Sequence, residues 1–290
     1  MALLIIGVCV GSVYALMALS VAVVYRGVQL VNFAQGEFGV IGVFVWLQWT
    51  VLGSGSQFAG IALGLLTAGA CGLAFSILSR RMAAAGGDHL VPLIGSFGLA
   101  IAMSSLITAI WGAQEPYTIK SIFGNGSLGV SHELIPSSEL GSLAVALVLG
   151  IVSYIVTRTT RIGLQLRATV ANPDASELLG IPTRRLQSLS WIVGTMLAGV
   201  AIFLYFENTG YVDESVINDM LIPSFAIAAV GGFENIPAIA IASVVYGVAT
   251  EGLDRYASFA GRDIVSLGML LGLLMIAPRG LLVGRSARYS

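Results

Sequence analysis

Residues 158–186 read R-T-T-R-I-G-L-Q-L-R-A-T-V-A-N-P-D-A-S-E-L-L-G-I-P-T-R-R-L and form the longest charged segment of a hydrophobic chain. Apolar stretches long enough to cross a membrane flank this segment on both sides. A polar, helix-forming insert of this kind predicts a surface where a membrane-embedded chain meets a soluble partner. Its charged side chains are Arg158, Arg161, Arg167, Asp174, Glu177, Arg184 and Arg185.

The composition indicates that lipid is the solvent for much of the chain. Of the 290 residues, 57% are hydrophobic and only 10% are charged, and the mean hydropathy is +0.91. A soluble domain is about 25% charged and about 7% glycine. The 36 glycines of this chain favour close helix packing in a membrane bundle. The net charge of −1 argues against nucleic acid as a partner.

The apolar segments predict an all-α, polytopic membrane protein with about eight or nine helices, since each membrane helix needs about 20 mostly apolar residues. Two shorter pieces, residues 220–230 and 236–250, are expected to be re-entrant or broken. We predict that residues 1–290 form a single transmembrane domain and that residues 158–186 are an insert within it. The other spans are residues 2–25, two helices within 38–79 that turn at 53–57, 90–111, 140–157, 186–206 and 264–277.

The distribution of arginine predicts the orientation, because cytoplasmic loops carry an excess of basic residues. With the N-terminus outside and the C-terminus inside, 11 of the 14 basic residues lie in the cytoplasm, and so does the 158–186 insert. The outer loops, residues 112–139 and 207–219, then either meet an extracytoplasmic partner or only cap the bundle. The cytoplasmic set is Arg26, Arg80, Arg81, Arg158, Arg161, Arg167, Arg184, Arg185, Arg279, Arg285 and Arg288.

A polar cluster separates the first two spans, where residues 28–39 read V-Q-L-V-N-F-A-Q-G-E-F-G. Asn32, Gln35 and Glu37 lie within six residues, and Gly36 and Gly39 are expected to let the backbone unwind. Polar groups at membrane depth usually face a cavity or a partner group, so the cluster is a candidate lining for a translocation path. The alternative is that Glu37 only begins a helix at the membrane interface.

A second break occurs at residues 228–237, A-A-V-G-G-F-E-N-I-P, where a Gly231–Gly232 hinge precedes Pro237 at the start of the next helix. Paired breaks in the two halves of a transporter point to a possible inverted repeat with the substrate between them. The alternative is a tight helical hairpin without a role in transport.

Several kinds of chemistry have no sequence signature here. The chain contains no phosphate-binding G-x-x-x-x-G-K-[ST] loop and no G-x-S-x-G serine. His89 and His132 have no metal-ligand spacing with a cysteine or an acid. We therefore expect no enzyme activity, no metal and no cofactor in this chain, so that active transport would draw on another subunit or on an ion gradient.

In these motifs and their order, the chain resembles the permease family of branched-chain amino acid ABC importers, and within it the first, H-type permease. The resemblance covers nearly the whole length, and any one motif alone is weak. The stretches that carry it are G-S-V-Y-A-L-M-A-L from Gly11, N-F-A-Q-G-E from Asn32, A-S-E-L-L-G-I from Ala175 and A-A-V-G-G-F-E-N-I-P from Ala228.

The resemblance implies a multi-pass permease of the bacterial plasma (inner) membrane that takes up branched-chain or other hydrophobic amino acids. Its implied partners are a second homologous permease, two cytoplasmic ATPases that bind the ATP, an extracytoplasmic substrate-binding protein and membrane lipid. Relatives carry urea or short amides, and Gln35 stands where many relatives carry histidine, which leaves the substrate class more open. An ATPase-independent channel or facilitator, or a structural membrane protein, remains the alternative.

The resemblance also implies that a short helix near residues 172–181 seats in a groove of the ATPase. Gly180 is expected to end this helix, since glycine favours that position. The alternative, a helix lying on lipid, is disfavoured because the segment lacks bulky aromatic residues. The predicted coupling residues are Ala171, Asn172, Asp174, Ala175, Leu178, Leu179, Gly180 and Ile181, and the predicted path residues are Asn32, Gln35, Gly36, Glu37, Gly231 and Gly232.

Overall fold

The computed structural model describes residues 2–84, 90–112, 117–124, 126–130, 133–212 and 216–257, together with positions 265, 268 and 272. Most of the described residues are helical. The helices are α1 (Ala2–Val28), α2 (Gln35–Leu47), α3 (Gln57–Ala84), α4 (Leu90–Trp111), α5 (Ser137–Thr159), α6 (Arg161–Ala171), α7 (Pro173–Leu178), α8 (Thr183–Thr209), α9 (Val216–Val230) and α10 (Ile236–Ala257). A π-helical turn, Gln48–Leu52, continues α2.

The predicted all-α, polytopic fold is confirmed. Within the described residues six helices, α1, α3, α4, α5, α8 and α10, are long and apolar enough to cross a membrane, and α9 is a shorter apolar helix. The break between α9 and α10 falls where the sequence predicts it. The last predicted span, residues 264–277, lies outside the described residues apart from the three isolated positions.

Helix α1 is the centre of the bundle. It packs against α5, α8, α9 and α10, and its membrane-spanning stretch is mostly buried. Helices α4 and α5, in contrast, expose most of their apolar surface. Because lipid is the only apolar solvent available to such a surface, α4 and α5 form the periphery of this chain.

Glycine allows the backbones of α1 and α10 to touch. Gly7 and Gly11 form a G-x-x-x-G pair on α1, and Gly247 of α10 lies directly against them. A Cβ at Gly247 would lie 2.5 Å from Gly11 N and 2.6 Å from Gly11 Cα, which is closer than any side chain tolerates. The same kind of crossing joins α2 to α3, where a Cβ at Gly42 would lie 2.6 Å from Gly64 O.

Arginine collects at one end of the bundle. Arg80, at the end of α3, donates from Nη1 to the carbonyl of Arg184 at the start of α8 (2.9 Å). Arg26, at the end of α1, lies within electrostatic range of Arg158 and Arg167. The arginines described at this end are Arg26, Arg80, Arg81, Arg158, Arg161, Arg167, Arg184 and Arg185, whereas Arg279, Arg285 and Arg288 lie outside the described residues.

The opposite end carries short strands that the sequence does not predict. β1 (Tyr117–Thr118) pairs antiparallel with β4 (Tyr211–Val212), with Tyr117 opposite Val212. β2 (Ser127–Val130) and β3 (Glu133–Pro136) form a separate antiparallel pair. The pairing of β1 with β4 joins the two loops that the sequence predicts to lie outside, here called the outer loops, which the sequence presents as independent segments.

Gly247→Ala should destabilise the bundle, because the added methyl group meets the backbone of α1. Overpacking of this kind costs roughly 1–3 kcal/mol. Gly252→Ala is the matched control, since a Cβ at Gly252 on the same helix meets no atom within 4 Å. Thermal unfolding in detergent should show a lower melting temperature for the first variant only. Equal melting temperatures for both would contradict the close contact.

Candidate translocation path and coupling surface

The first break in the bundle runs from Gln29 to Ala34, between the end of α1 and the start of α2. Asn32 organises it, since Asn32 Oδ1 accepts from Ala34 N (3.1 Å) and Asn32 Nδ2 donates to Gln35 Oε1 (3.1 Å). Such local side-chain bonds offer the backbone an alternative to continued helix. The expectation that Gly36 and Gly39 unwind the backbone is wrong, because both lie inside α2 and the unwound residues precede them.

Asn32, Gln35, Gly36 and Glu37 are buried. Gln35 has no exposed surface, and within the described part of the chain its Nε2 has no hydrogen-bond partner. The same holds for Glu37 Oε2. A buried polar atom without a partner is costly and uncommon, so these two atoms are the polar atoms of the cluster that a bound water or ligand would stabilise. Glu37 lies in the first turn of α2. This position also agrees with the alternative interpretation, in which Glu37 only begins a helix.

Three other helices surround the cluster. On α4, Ser96 Oγ accepts from Phe33 N (3.2 Å) and donates to Leu93 O (2.7 Å). On α8, Gly194 leaves room for the amide of Gln35, since a Cβ there would lie 3.2 Å from Gln35 Nε2. On α9, the ring of Phe225 lies 5.5 Å from that of Phe33. Ser96 was not found by sequence reasoning, because one serine in an apolar span gives no signal of its partner.

The second break, Gly231 to Asn235, turns α9 into α10. Gly232 (φ 61°) and Phe233 (φ 58°) adopt left-handed backbone, which makes the turn tight. Glycine tolerates this conformation, whereas it is strained for a bulky residue such as Phe233. Asn235 Oδ1 accepts from Ala238 N (3.3 Å) and so caps α10. Gly231 is buried against Ile239, because a Cβ at Gly231 would lie 2.6 Å from Ile239 Cγ1. Helix α10 therefore fills this break.

Both breaks lie at the arginine-rich end of the bundle. Tyr25, near the end of α1, stacks on Phe233 with ring centroids 4.9 Å apart. Tyr14 OH, farther back on α1, donates to Asp219 O near the start of α9 (3.4 Å). Helix α1 therefore runs parallel to α9. Since α1, before the first break, runs in the same direction as α9, before the second, these two breaks do not by themselves indicate an inverted repeat.

The 158–186 insert folds into two short helices that are capped by side chains. Thr160 Oγ1 accepts from Gly163 N (3.3 Å) at the start of α6. Asn172 ends α6 and begins α7, where its Oδ1 accepts from Ala175 N (2.9 Å). Each cap satisfies a backbone donor that the first turn leaves unpaired.

The predicted stop at Gly180 is present and has the geometry of a Schellman motif. Ile181 N donates to Ser176 O (3.0 Å), and Gly180 N donates to Glu177 O (3.0 Å), with Gly180 at φ 78°. Glu177 Oε1 also accepts from Thr183 Oγ1 (2.7 Å), which ties α7 to the start of α8. The position of α7 is therefore fixed relative to α8.

The predicted coupling residues form an outward-facing surface. Leu178 is 90% exposed and Leu179 is 81% exposed. Ala175 and Ile181 are half-buried, and Ser176 is the buried residue of α7. The remaining predicted residues, Ala171, Asn172, Asp174 and Gly180, are exposed. Two adjacent exposed leucines form an apolar patch that suits contact with another protein or with lipid.

Glu207, in the last turn of α8, anchors the loop that contains β1. Its Oε2 accepts from Ser121 Oγ (2.7 Å) and from Ile122 N (3.0 Å), and the residue is buried. Phe123, the next residue in the loop, lies over Gly141 of α5. Sequence reasoning assigned Glu207 to an acidic outer loop, whereas it is the last-turn anchor of a membrane helix.

Beneath this loop lies an apolar cavity of about 210 Å³ between α2, α3 and α8. Trp46 and Phe203 line it and pack edge to face with ring centroids 4.8 Å apart. Ile122 and Phe123 close its outer end. Among the described residues no group of three or more His, Cys, Asp or Glu could hold a metal ion, and His89 and His132 lie outside those residues.

Glu207→Ala should release the outer loop, because it removes the acceptor of two charge-assisted hydrogen bonds. Bonds to a charged group contribute roughly 1.5–3 kcal/mol, so hydrogen–deuterium exchange across residues 117–124 should accelerate roughly tenfold or more. Glu207→Gln keeps an acceptor oxygen and should have a smaller effect. Exchange in α1 serves as the internal control, and an unchanged loop in the alanine variant would rule out this anchoring.

Comparison with known proteins agrees with the geometry. The family model of the branched-chain amino acid transport system / permease component matches residues 3–277. The high-affinity branched-chain amino acid transport system permease protein LivH of Escherichia coli (strain K12) is 27% identical over 290 residues, covering 95% of this chain and 93% of LivH. The corresponding protein BraD of Pseudomonas aeruginosa is 27% identical over 287 residues, with 95% and 93% covered.

A solved structure shares the fold. PsaBC from Streptococcus pneumoniae, in complex with Fab, superposes with a TM-score of 0.51 at 17% identity, over 96% of this chain and 91% of that chain. The match to the family model over residues 3–277 establishes that this chain belongs to the branched-chain amino acid transport permease family, as a membrane-spanning transporter component and not an enzyme.

Proposed function

We propose that this chain is a permease subunit of an ABC importer that takes up branched-chain or other hydrophobic amino acids. The family match carries the proposal, since it covers residues 3–277, and the named relatives are branched-chain amino acid permeases. ATP is bound and hydrolysed by separate ATPase subunits, and an extracytoplasmic binding protein delivers the substrate. A second homologous permease and two ATPases complete the assembly.

The arginine-rich end is cytoplasmic in this proposal, and the N-terminus is outside. Eight described arginines gather at that end, from Arg26 at the end of α1 to Arg185 at the start of α8. The positive-inside tendency of short loops supports this orientation in a bacterial plasma membrane. The joined outer loops, with Lys120 and the β1–β4 pair, then face the binding protein.

The ATPases dock on α7. Leu178 and Leu179 project from a helix whose two ends are fixed by Asn172 and Gly180, so the pair is presented rigidly. A preorganised apolar contact loses little entropy on binding. The six-residue α7 contains no aromatic residue, which disfavours a helix lying on lipid.

Motion of α7 reaches the path through α8. Glu177 bonds to Thr183 in the first turn of α8 (2.7 Å), and Gly194 of the same helix faces the amide of Gln35. At the cluster, Gln35 Nε2 is an unpaired donor and Glu37 Oε2 an unpaired acceptor among the described residues. A donor and an acidic acceptor suit the carboxylate and ammonium groups of an amino acid.

Gln35→Leu should lower amino acid uptake by the reconstituted transporter. The change keeps the approximate volume but removes the Nε2 donor, and one lost hydrogen bond to a charged group corresponds to roughly a tenfold effect. It also removes the Oε1 that accepts from Asn32 Nδ2, so Asn32→Ala, which breaks that bond and keeps the Gln35 donor, separates the two effects. Gln57→Leu, at the start of α3 and away from the cluster, is the control. Uptake is measured with labelled leucine and the binding protein. Unchanged uptake in an assembled Gln35→Leu complex would assign the cluster a structural role only.

Leu178→Asp should detach the ATPases while leaving the permease inserted in the membrane. Loss of a central apolar contact weakens an interface by about 2 kcal/mol, or roughly thirtyfold. Leu134→Asp is the matched control, because Leu134 is 71% exposed on β3 at the opposite end. The readout is the yield of ATPase that co-purifies with the permease. Full yield with the Leu178 variant would contradict docking on α7, and a wild-type chain that purifies alone would favour a facilitator.

A further inference from the structure

A basic crevice opens at the arginine-rich end, between the end of α3, the short helix α7 and the start of α8. Its volume is about 810 Å³. Four arginines line it, against one acidic residue, Glu177. The arginines are Arg80, Arg81, Arg184 and Arg185.

The described part of the chain offsets only part of the positive charge of the crevice, since four arginines line it with one carboxylate, Glu177. Glu177 Oε1 accepts from the hydroxyl of Thr183 (2.7 Å). Arg80 donates twice from Nη1, to Arg184 O and to Ser188 Oγ (both 2.9 Å), and these acceptors are uncharged. Among the described residues, none of the four guanidinium groups makes an ion pair with a carboxylate. Their remaining N–H groups are therefore donors that suit an anion.

One wall of the crevice is apolar and continues into the membrane. Ile77 of α3 is 41% exposed and Leu189 of α8 is 40% exposed, and both line the crevice. Each lies in a helix that is long and apolar enough to span the membrane. Leu73 and Val193, one turn deeper on the same helices, are also exposed. Arginines at the water-facing end therefore adjoin a strip of apolar side chains that points into the hydrocarbon.

We propose that this crevice binds an anionic phospholipid, with the phosphate group among the four arginines and an acyl chain along Ile77 and Leu189. Basic pockets between membrane helices on the cytoplasmic side are suited to such headgroups. A soluble phosphate would satisfy the arginines but would leave the apolar wall unused. An acidic protein surface would likewise gain nothing from the strip at Leu73 and Val193. The site lies outside the proposed path and is independent of the transported substrate.

The bound lipid would adjoin the coupling surface. Pro173 and Glu177 belong to α7 and line the same crevice, whereas the exposed Leu178 is not among its lining residues. A phosphate held by Arg184 and Arg185 fixes the start of α8, to which α7 is tied through Thr183. We therefore expect ATP hydrolysis by the assembled transporter to be higher in membranes that contain anionic lipid.

The test uses the assembled transporter in nanodiscs of phosphatidylcholine alone or mixed with phosphatidylglycerol. Native mass spectrometry then counts the lipids that remain bound. The crevice variant is Arg81→Gln with Arg185→Gln. The control is Arg158→Gln with Arg161→Gln, which removes the same charge at the same end outside the crevice. All four side chains are exposed or half-buried, so both variants should fold, and thermal unfolding checks this.

The wild type and the control should retain phosphatidylglycerol in preference to phosphatidylcholine, and ATP hydrolysis should rise with phosphatidylglycerol. Each arginine near an anionic surface contributes roughly a fivefold effect, so the crevice variant should bind phosphatidylglycerol roughly twenty-five-fold more weakly. Equal losses in both variants would indicate general attraction and overturn the proposal, as would no loss in either. Displacement by inorganic phosphate would identify a phosphate site instead. A crevice variant that keeps the lipid but loses the ATPases would identify a protein occupant.

Discussion

The backbone contact between Gly247 on α10 and the Gly7–Gly11 pair on α1 is the constraint on which the rest of the bundle depends. In lipid, apolar side chains gain nothing by leaving their solvent, so close van der Waals packing decides which helices associate. The contact holds α1 at the centre and fixes the direction of α10. It thereby places the two breaks, after α1 and before α10, at the same end of the molecule.

Helix α8 joins the candidate coupling surface, the polar cluster and the loop held by Glu207. Its first turn is bonded to Glu177 of α7, its middle leaves room for Gln35 through Gly194, and its last turn holds the outer loop through Glu207. A continuous helix of 27 residues transmits a displacement along its axis better than a chain of loops does. A single rigid element therefore contacts the coupling surface, the polar cluster and the outer loop.

Polar atoms in this chain are concentrated where the helices end or break. Asn172 and Asn235 each use a side-chain oxygen to cap the helix that follows, and these caps could be anticipated from residue type. Asn32 uses its side-chain oxygen within the break before α2, where it accepts from Ala34 N. The lack of a partner for Gln35 Nε2 and Glu37 Oε2 could not be anticipated, since it depends on which side chains the neighbouring helices place beside them. The predicted unwinding at Gly36 failed for the same reason: burial and packing keep that residue helical.

The sequence by itself determined the membrane class, the helical fold, the positions of the breaks and the stop at Gly180, because these depend on local composition and backbone preference. It also determined the charge asymmetry, which needs only the order of the spans. Only the tertiary structure decided that β1 and β4 join the outer loops, that Ser96 and Gly194 surround Asn32 and Gln35, and that Arg80, Arg81, Arg184 and Arg185 share one crevice. These contacts join residues far apart in sequence, and helix packing in three dimensions, not any local pattern, brings them together.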